Sequence, residues 1–154
     1  MSVARKPSST SLAAEASAAM EICAVGNARL AARRLTQFLA KRLEPAGLGV
    51  AQFWLLAQVA SENDESLGAL AQRAGLDQST LSRNLQVLER EGLVGLVSGG
   101  EDARRRVAWL TGEGKRRLAA ALEAWRSAQA EIEATVDVAE LKRFEIATRL
   151  FGRD

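Results

Sequence analysis

The sequence contains no histidine and no tyrosine, and its only cysteine is Cys23. One thiol cannot close a disulfide within the chain, which excludes a secreted fold held by internal disulfide bonds. Structural zinc sites are built mainly from cysteine and histidine, so we predict no metal site and no cofactor. Histidine acid–base chemistry and Ser-His-Asp or Cys-His catalysis are excluded as well. The remaining carboxylates fall mainly in predicted loops and on outer helix faces, so we expect the protein not to be an enzyme.

Long apolar segments are missing too. No run reaches the roughly 18 apolar residues that a membrane-spanning helix needs. Residues 1–17 carry Arg5 and Lys6 but lack the apolar core of a signal peptide. We therefore expect a cytoplasmic protein without a membrane partner.

The composition that is present fits one domain with appended helices. The chain has 154 residues, of which 47% are apolar and 26% are charged. The formal net charge is only +2. Lys and Arg nevertheless outnumber Asp and Glu in residues 72–117, whereas residues 118–154 carry a slight acidic excess. This asymmetry indicates an anionic partner for the middle of the chain.

The N-terminal part predicts a tail followed by one long helix. Pro7 and the serine-rich segment after it predict a flexible tail over residues 1–16. Apolar residues at mixed three- and four-residue spacings predict a helix from about residue 17. Pro45 and Gly47 are expected to end it.

Three short helices are predicted next. The first covers residues 50–61 and has an apolar stripe formed by Val50, Phe53, Trp54 and Ala57. The second follows Ser66, a good N-cap, and ends before Gly75, which can adopt the left-handed conformation of a C-cap. The third begins after Asp77 as N-cap, and its buried stripe is Leu81, Leu85 and Leu88. Two short helices joined by such a turn form a helix-turn-helix.

The outer face of the third helix carries short hydrogen-bonding side chains and arginine. Such a face suits a recognition helix, because short side chains let the helix enter the major groove and arginine binds guanine through two hydrogen bonds. The candidate DNA-binding residues on this helix are Gln78, Ser79, Thr80, Ser82, Arg83 and Gln86. The polar face of an ordinary amphipathic helix is the alternative interpretation.

A β-hairpin is predicted directly after the helix-turn-helix. Residues 93–97 and 106–110 are strand candidates on either side of a glycine-containing turn. That order of elements predicts a mainly α-helical winged helix-turn-helix fold with a small β-hairpin wing. The wing tip adds Arg104 and Arg105 to the candidate DNA-binding residues, since arginines beside a flexible turn suit phosphate or minor-groove contacts. A solvated charge run is the alternative.

The helices at the two ends of the chain carry more apolar surface than a winged helix can bury. Burial against a second copy of the chain is the natural solution. We therefore predict a helical dimerisation region formed by residues 17–47 and 112–154. It flanks a DNA-binding region of residues 48–111.

Cys23 allows two interpretations. A lone cysteine in an apolar helical stretch is usually a small core residue. The alternative is a redox-sensing thiol, which needs exposure and a lowered pKa.

These motifs together resemble the MarR family of bacterial regulators over about residues 23–150. Residues 69–94, from ALAQRAGLDQSTLSR to NLQVLEREGLV, look like the family's helix-turn-helix. Asp102 and Arg104 look like its wing motif, with Gly114 in the usual place after it. Gly99 departs from the pattern, because the family often has a further aspartate there.

The resemblance implies a homodimer that binds double-stranded DNA at a pseudo-palindromic operator, usually as a repressor. It also implies release by a small, often aromatic or anionic, effector bound between the dimerisation and DNA-binding regions. Arg83 matches the recognition-helix arginine that reaches bases, and Arg104 matches the wing arginine that enters the minor groove. Asp102 matches the acid that supports this arginine. The alternative function is a winged helix that binds a protein partner and no DNA.

Overall fold

The computed structural model describes residues 9–61, 66–98 and 106–152. Over these residues it contains seven α-helices and one two-stranded antiparallel sheet. This confirms the predicted class, mainly α-helical with a small β-hairpin. The chain divides into two compact units, one up to Phe38 and one from Leu39 onward.

The first unit begins with helix α1 (Ser9–Ile22) and continues into α2 (Ala24–Leu43), whose last turn belongs to the second unit. The prediction of a flexible tail over residues 1–16 is wrong from Ser9 onward. Alanine has the highest helix propensity, and the many alanines that follow outweigh the Ser/Thr-rich start.

A break at Cys23 divides the predicted single helix into two. The amide of Gly26 donates to the Cys23 sulfur at 3.4 Å, and the Asn27 side-chain amide donates to the carbonyl of Glu21 at 3.0 Å. These bonds satisfy polar groups at the break that a continuous helix would satisfy internally.

The second unit holds the remaining elements in a fixed order. A 3-10 turn, Glu44–Ala46, follows α2. The further elements are α3 (Val50–Ser61), α4 (Leu67–Ala74), α5 (Gln78–Arg90), β1 (Val94–Ser98), β2 (Arg106–Leu110), α6 (Gly112–Glu133) and α7 (Val138–Thr148), with a second 3-10 turn at Arg149–Gly152.

Leucine side chains dominate the core of this unit. The predicted inner stripe of α5 is confirmed, because Leu81, Leu85 and Leu88 are each at most 1% exposed. They pack in one cluster with residues of α3, α4, β1, β2 and α6, including Phe53, Leu56, Leu70, Val94, Ala108 and Leu118.

The apolar stripe predicted for α3 is only partly the buried face of this helix. Phe53 is buried as expected, but the Trp54 side chain is 57% exposed, and Leu55, Leu56 and Val59 are buried instead. This helix is apolar on almost every side, so its periodicity does not determine which face turns inward.

The helix ends follow the sequence signals closely. The Ser66 hydroxyl accepts a hydrogen bond from the amide of Ala69 and caps α4. Gly75 ends this helix with φ of 66°, in the left-handed region that favours glycine. Thr111 caps α6 by accepting from the amide of Gly114. The turns of the helix-turn-helix are thus fixed by local interactions.

The hairpin pairs Val94 with Leu110 and Ser98 with Arg106, so β1 starts one residue later than predicted. Trp109 lies opposite Gly95, and its indole occupies the space above that glycine. A Cβ atom at Gly95 would lie 2.3 Å from the indole ring, so a side chain there would require the indole to move. The wing tip between the strands lies outside the described residues.

Helices α6 and α7 complete the chain. Helix α6 packs on α3, on β2 and on the first 3-10 turn. Along α7 and the turn after it, exposed apolar side chains include Leu141, Phe144, Ile146, Leu150 and Phe151. Within the described residues, no helix is long and apolar enough to span a membrane.

Candidate nucleic-acid interface

Two polar clusters fix α4 and α5 against α3. The Arg73 guanidinium of α4 donates to the backbone carbonyl of Gln58 and to the Ser61 hydroxyl, both at 2.8 Å, and also to the Gln58 side-chain oxygen. A cation at this position is favourable because it lies at the C-terminal end of α3. At the opposite end of α3, the Gln52 amide donates to the Glu91 carboxylate at 2.9 Å. The helix-turn-helix is therefore held at both ends.

Helix α5 presents the predicted recognition residues on its outer side. Gln78, Ser79, Arg83 and Gln86 are exposed, whereas Thr80 and Ser82 are half-buried. The opposite side of the helix is fully buried in the leucine core. A rigid helix with one packed face and one polar face has the form that a major-groove reader needs. The roles of these six residues in DNA binding stay predictions.

The start of α5 is organised around the Asp77 carboxylate. Its Oδ1 atom accepts from the Thr80 amide at 2.8 Å and from the Ser79 hydroxyl at 2.6 Å. Its Oδ2 atom accepts from the Thr80 hydroxyl at 2.7 Å. These bonds, those from the two hydroxyl groups first, hold the pKa of Asp77 well below its usual range. The carboxylate also occupies the N-terminal end of α5, the end of a helix at which anions are stabilised.

The sequence predicted the Asp77 cap but not the two hydroxyl bonds. The relevant signal is the spacing of Asp77, Ser79 and Thr80, because hydroxyls two and three residues after an N-cap carboxylate lie within its reach. Further along the helix, the Arg90 side chain donates to the carbonyl of Gln86 at 3.3 Å. Arg90 thus folds back on its own helix.

The base of the wing is tied to the end of α5 and to the start of α6. The Thr111 hydroxyl donates to the carbonyl of Gly92 at 2.6 Å, and the Thr111 amide donates to the carbonyl of Leu93 at 3.1 Å. The predicted wing residues Asp102, Arg104 and Arg105 lie outside the described residues. Their roles remain predictions.

Cys23 is exposed at the break between α1 and α2. The interpretation of Cys23 as a buried core residue of this chain is therefore wrong. The position fails as a core site because the helix ends one residue earlier and the thiol turns toward the Gly26 amide.

A cavity of about 460 Å³ lies between α3, β2 and α6. Its wall is mainly apolar, with Val59, Leu118 and Leu122 among the lining residues. Trp109 and Lys115 are also among the residues that line it. The sequence did not reveal this cavity, because it arises where a strand of the wing meets a helix that follows it.

Ion pairs fix the first turn of α6. The Glu113 carboxylate accepts from Arg116 at 2.6 Å and from Arg117 at 2.8 Å. The bonds from Arg116 and then from Arg117 lower the pKa of Glu113 to about 2. Further along, Arg42 at the end of α2 pairs with Glu131 at 2.6 Å. Ion pairs within the helix thus stabilise the first turn of α6, and the pair with Arg42 joins its C-terminal part to α2.

The helix-turn-helix, the hairpin after it and the flanking helices define a winged-helix protein of the type found among transcription regulators. Comparison with known proteins assigns the family. The MarR family sequence model matches residues 46–105. No curated protein sequence matches the chain.

Solved structures give fuller matches. The Mycobacterium tuberculosis transcriptional regulator MosR, solved in complex with DNA, is 38% identical, with a TM-score of 0.70. The match covers 82% of this chain and 98% of MosR. The chain belongs to the MarR family of transcription regulators.

Two more distant structures share the fold. CouR from Rhodococcus jostii RHA1, bound to p-coumaroyl-CoA, is 20% identical with a TM-score of 0.71, and the match covers 88% of this chain and 96% of CouR. A mutant of Escherichia coli MarR complexed with operator DNA is 19% identical with a TM-score of 0.74, and the match covers 88% of this chain and 98% of MarR.

Proposed function

We propose that this protein is a homodimeric, sequence-specific DNA-binding transcriptional regulator. The observation that carries the proposal is the outer face of α5. It sets exposed Arg83 and Gln86 opposite a fully buried leucine stripe, in a family whose 38%-identical member was solved with DNA. In this proposal Gln78, Ser79, Thr80, Ser82, Arg83 and Gln86 face the major groove. Arg104 and Arg105 contact flanking DNA from the wing, supported by Asp102.

A dimer supplies the second recognition helix. Leu141, Phe144 and Ile146 on α7 are 41%, 48% and 50% exposed in the single chain, and Phe151 after it is 88% exposed. Apolar side chains at this density favour burial in an interface. Two symmetry-related copies of α5 would then reach major grooves about 34 Å apart, which requires a pseudo-palindromic operator.

Selection from a random library tests the DNA-binding proposal. The purified chain is incubated with duplexes whose central 24 or so base pairs are randomised, enough for two half-sites one turn apart. We expect enrichment of an inverted repeat and a dimeric mass in light scattering. A monomer that enriches no sequence would contradict the proposal and favour a winged helix that binds a protein partner.

We further propose that the protein is a repressor that releases DNA when a small aromatic anion occupies the cavity between α3, β2 and α6. In this proposal the ligand stacks on Trp109 and its carboxylate pairs with Lys115, two of the residues that line a mainly apolar wall. Because β2 is a wing strand and α6 belongs to the predicted dimerisation region, a ligand there acts on the spacing of the two DNA-binding regions. It shifts the equilibrium between the DNA-binding spacing and another spacing only to the extent that its affinity for the two differs.

The effector proposal has a direct test. Aromatic carboxylates such as salicylate and 4-hydroxybenzoate are titrated against the protein–DNA complex while tryptophan fluorescence is recorded. Release of DNA should accompany quenching of the tryptophan fluorescence, and Lys115→Met, which keeps the aliphatic stem, should weaken both effects for the carboxylates. Release that is unchanged in Lys115→Met would place the effector elsewhere.

A further inference from the structure

We propose that Asp77 determines part of the base preference of α5 by holding the hydroxyl protons of Ser79 and Thr80. The two hydroxyl groups then have only hydrogen-bond acceptors left to offer to the major groove. The inference rests on the proposed function and deepens it, because it assigns a chemical class of base to one end of the recognition helix.

In the hydrogen bonds between Asp77 and the two hydroxyl groups, the hydroxyl group must be the donor. The Asp77 carboxylate is ionised, so it has no proton to give and each bond must use a proton of the partner. Ser79 Oγ lies 2.6 Å from Oδ1, and Thr80 Oγ1 lies 2.7 Å from Oδ2. A hydroxyl group has one proton and two lone pairs. Both protons therefore point back to Asp77, and the lone pairs remain for other partners.

Of the two hydroxyl groups, the more exposed one is better placed to contact a base. Ser79 is exposed, whereas Thr80 is half-buried. The cap bond from the Thr80 amide to Oδ1, at 2.8 Å, keeps the carboxylate at the first turn of α5. The Ser79 hydroxyl is thus held by Asp77 at an exposed position, and its lone pairs remain for an outside partner.

An acceptor can bond only to a donor on a base edge. In the major groove the donors are the N6 amino group of adenine and the N4 amino group of cytosine, while guanine O6 and N7 and thymine O4 are acceptors. Every base pair has one amino edge and one keto edge there. The Ser79 hydroxyl therefore selects adenine or cytosine on the strand it faces, over guanine or thymine. Phosphate oxygens are also acceptors, so this pair of hydroxyls is not a phosphate contact.

The test compares base preferences of variants on the same randomised duplex library. For the wild-type chain we expect one position in each half-site to favour adenine or cytosine by roughly 2- to 10-fold, the range for one net hydrogen bond. Asp77→Gly frees both hydroxyl protons, and glycine is tolerated as an N-cap. Guanine and thymine should become accepted at that position. Ser79→Ala keeps the cap and should remove the preference there.

A matched control separates the effect of losing a helix N-cap from the effect of freeing the Ser79 and Thr80 hydroxyl protons. Ser66→Gly removes the cap of α4, where the hydroxyl accepts from the Ala69 amide at 3.3 Å, within the same helix-turn-helix. It should leave the preference unchanged. An Asp77→Gly selection identical to wild type at every position would overturn the inference while the proposed function stands. So would a preference for guanine or thymine at the position that Ser79→Ala alters. A wild-type chain that enriches no sequence would overturn both.

Discussion

Gly114 packs directly on the backbone of Leu93, where the chain leaves α5 and enters the wing. A Cβ atom at Gly114 would lie 1.9 Å from the Leu93 carbonyl oxygen. The first turn of α6 is therefore in backbone contact with the root of the wing. This contact connects the DNA-binding elements to the first helix of the C-terminal part of the predicted dimerisation region.

Gly114→Ala should destabilise the protein, because the added methyl group meets backbone atoms that cannot move aside independently. Overpacking of this kind costs about 1–3 kcal/mol or more. The control is Gly112→Ala in the same helical turn, where nothing lies within 4 Å of the added carbon. Urea unfolding should show a lower free energy for the first variant and an equal or higher one for the second. Equal free energies for the two variants would show that the contact is looser than described.

Leu85→Ala should lower the free energy of unfolding by about 2–5 kcal/mol, because Leu85 is 0% exposed and truncation leaves a cavity. Gln86→Ala, one residue further and exposed, should change it by about 0.5 kcal/mol or less. Thermal melts of both variants provide the comparison. A melt that is unchanged in Leu85→Ala would mean that α5 is turned the other way.

Arg83→Ala should weaken binding to the selected operator by about 1–3 kcal/mol and relax the preference at one base in each half-site. Arg90→Ala is the matched control, because its guanidinium donates to the Gln86 carbonyl of the same helix. Anisotropy titrations against the operator and against each single-base variant measure both effects. If operator and shuffled DNA weaken equally in Arg83→Ala, its base-reading role is wrong.

The ion pairs of Glu113 predict a contribution to stability that depends on pH. Its folded-state pKa of about 2 lies below the ordinary value of 4.5. A carboxyl whose pKa is lowered by folding stabilises the native state above its unfolded pKa. This contribution is lost as pH falls from about 4.5 to about 2. Glu113→Gln should show a shallower decline in melting temperature across this window, and Glu123→Gln, for which no ion pair is described, should follow wild type.

Local signals predicted the helix-turn-helix well. Ser66, Gly75 and Asp77 act through hydrogen bonds or dihedral angles within a few residues, so the sequence around each one is sufficient. The buried stripe of α5 was equally clear, because its polar and apolar faces differ strongly.

Tertiary packing decided what the sequence left open. In α3, Phe53 and Leu55 are buried and Trp54 is exposed. Because this helix is almost wholly apolar, the neighbouring elements decide which of its side chains are covered. The cavity beside Trp109 and Lys115 depends on how β2 meets α6. The proton arrangement at Asp77 depends on side-chain rotamers, which periodicity does not determine.

The most direct test of sequence-specific DNA binding is fluorescence anisotropy with the selected operator and a shuffled duplex of the same composition. Titrations are run at about 50 mM and about 200 mM salt, since phosphate contacts make affinity fall steeply with salt. The operator should bind at least about 1,000-fold more tightly than the shuffled duplex at the higher salt, with a steep salt dependence for both. Equal affinity for the two duplexes at both salt concentrations would contradict sequence-specific binding.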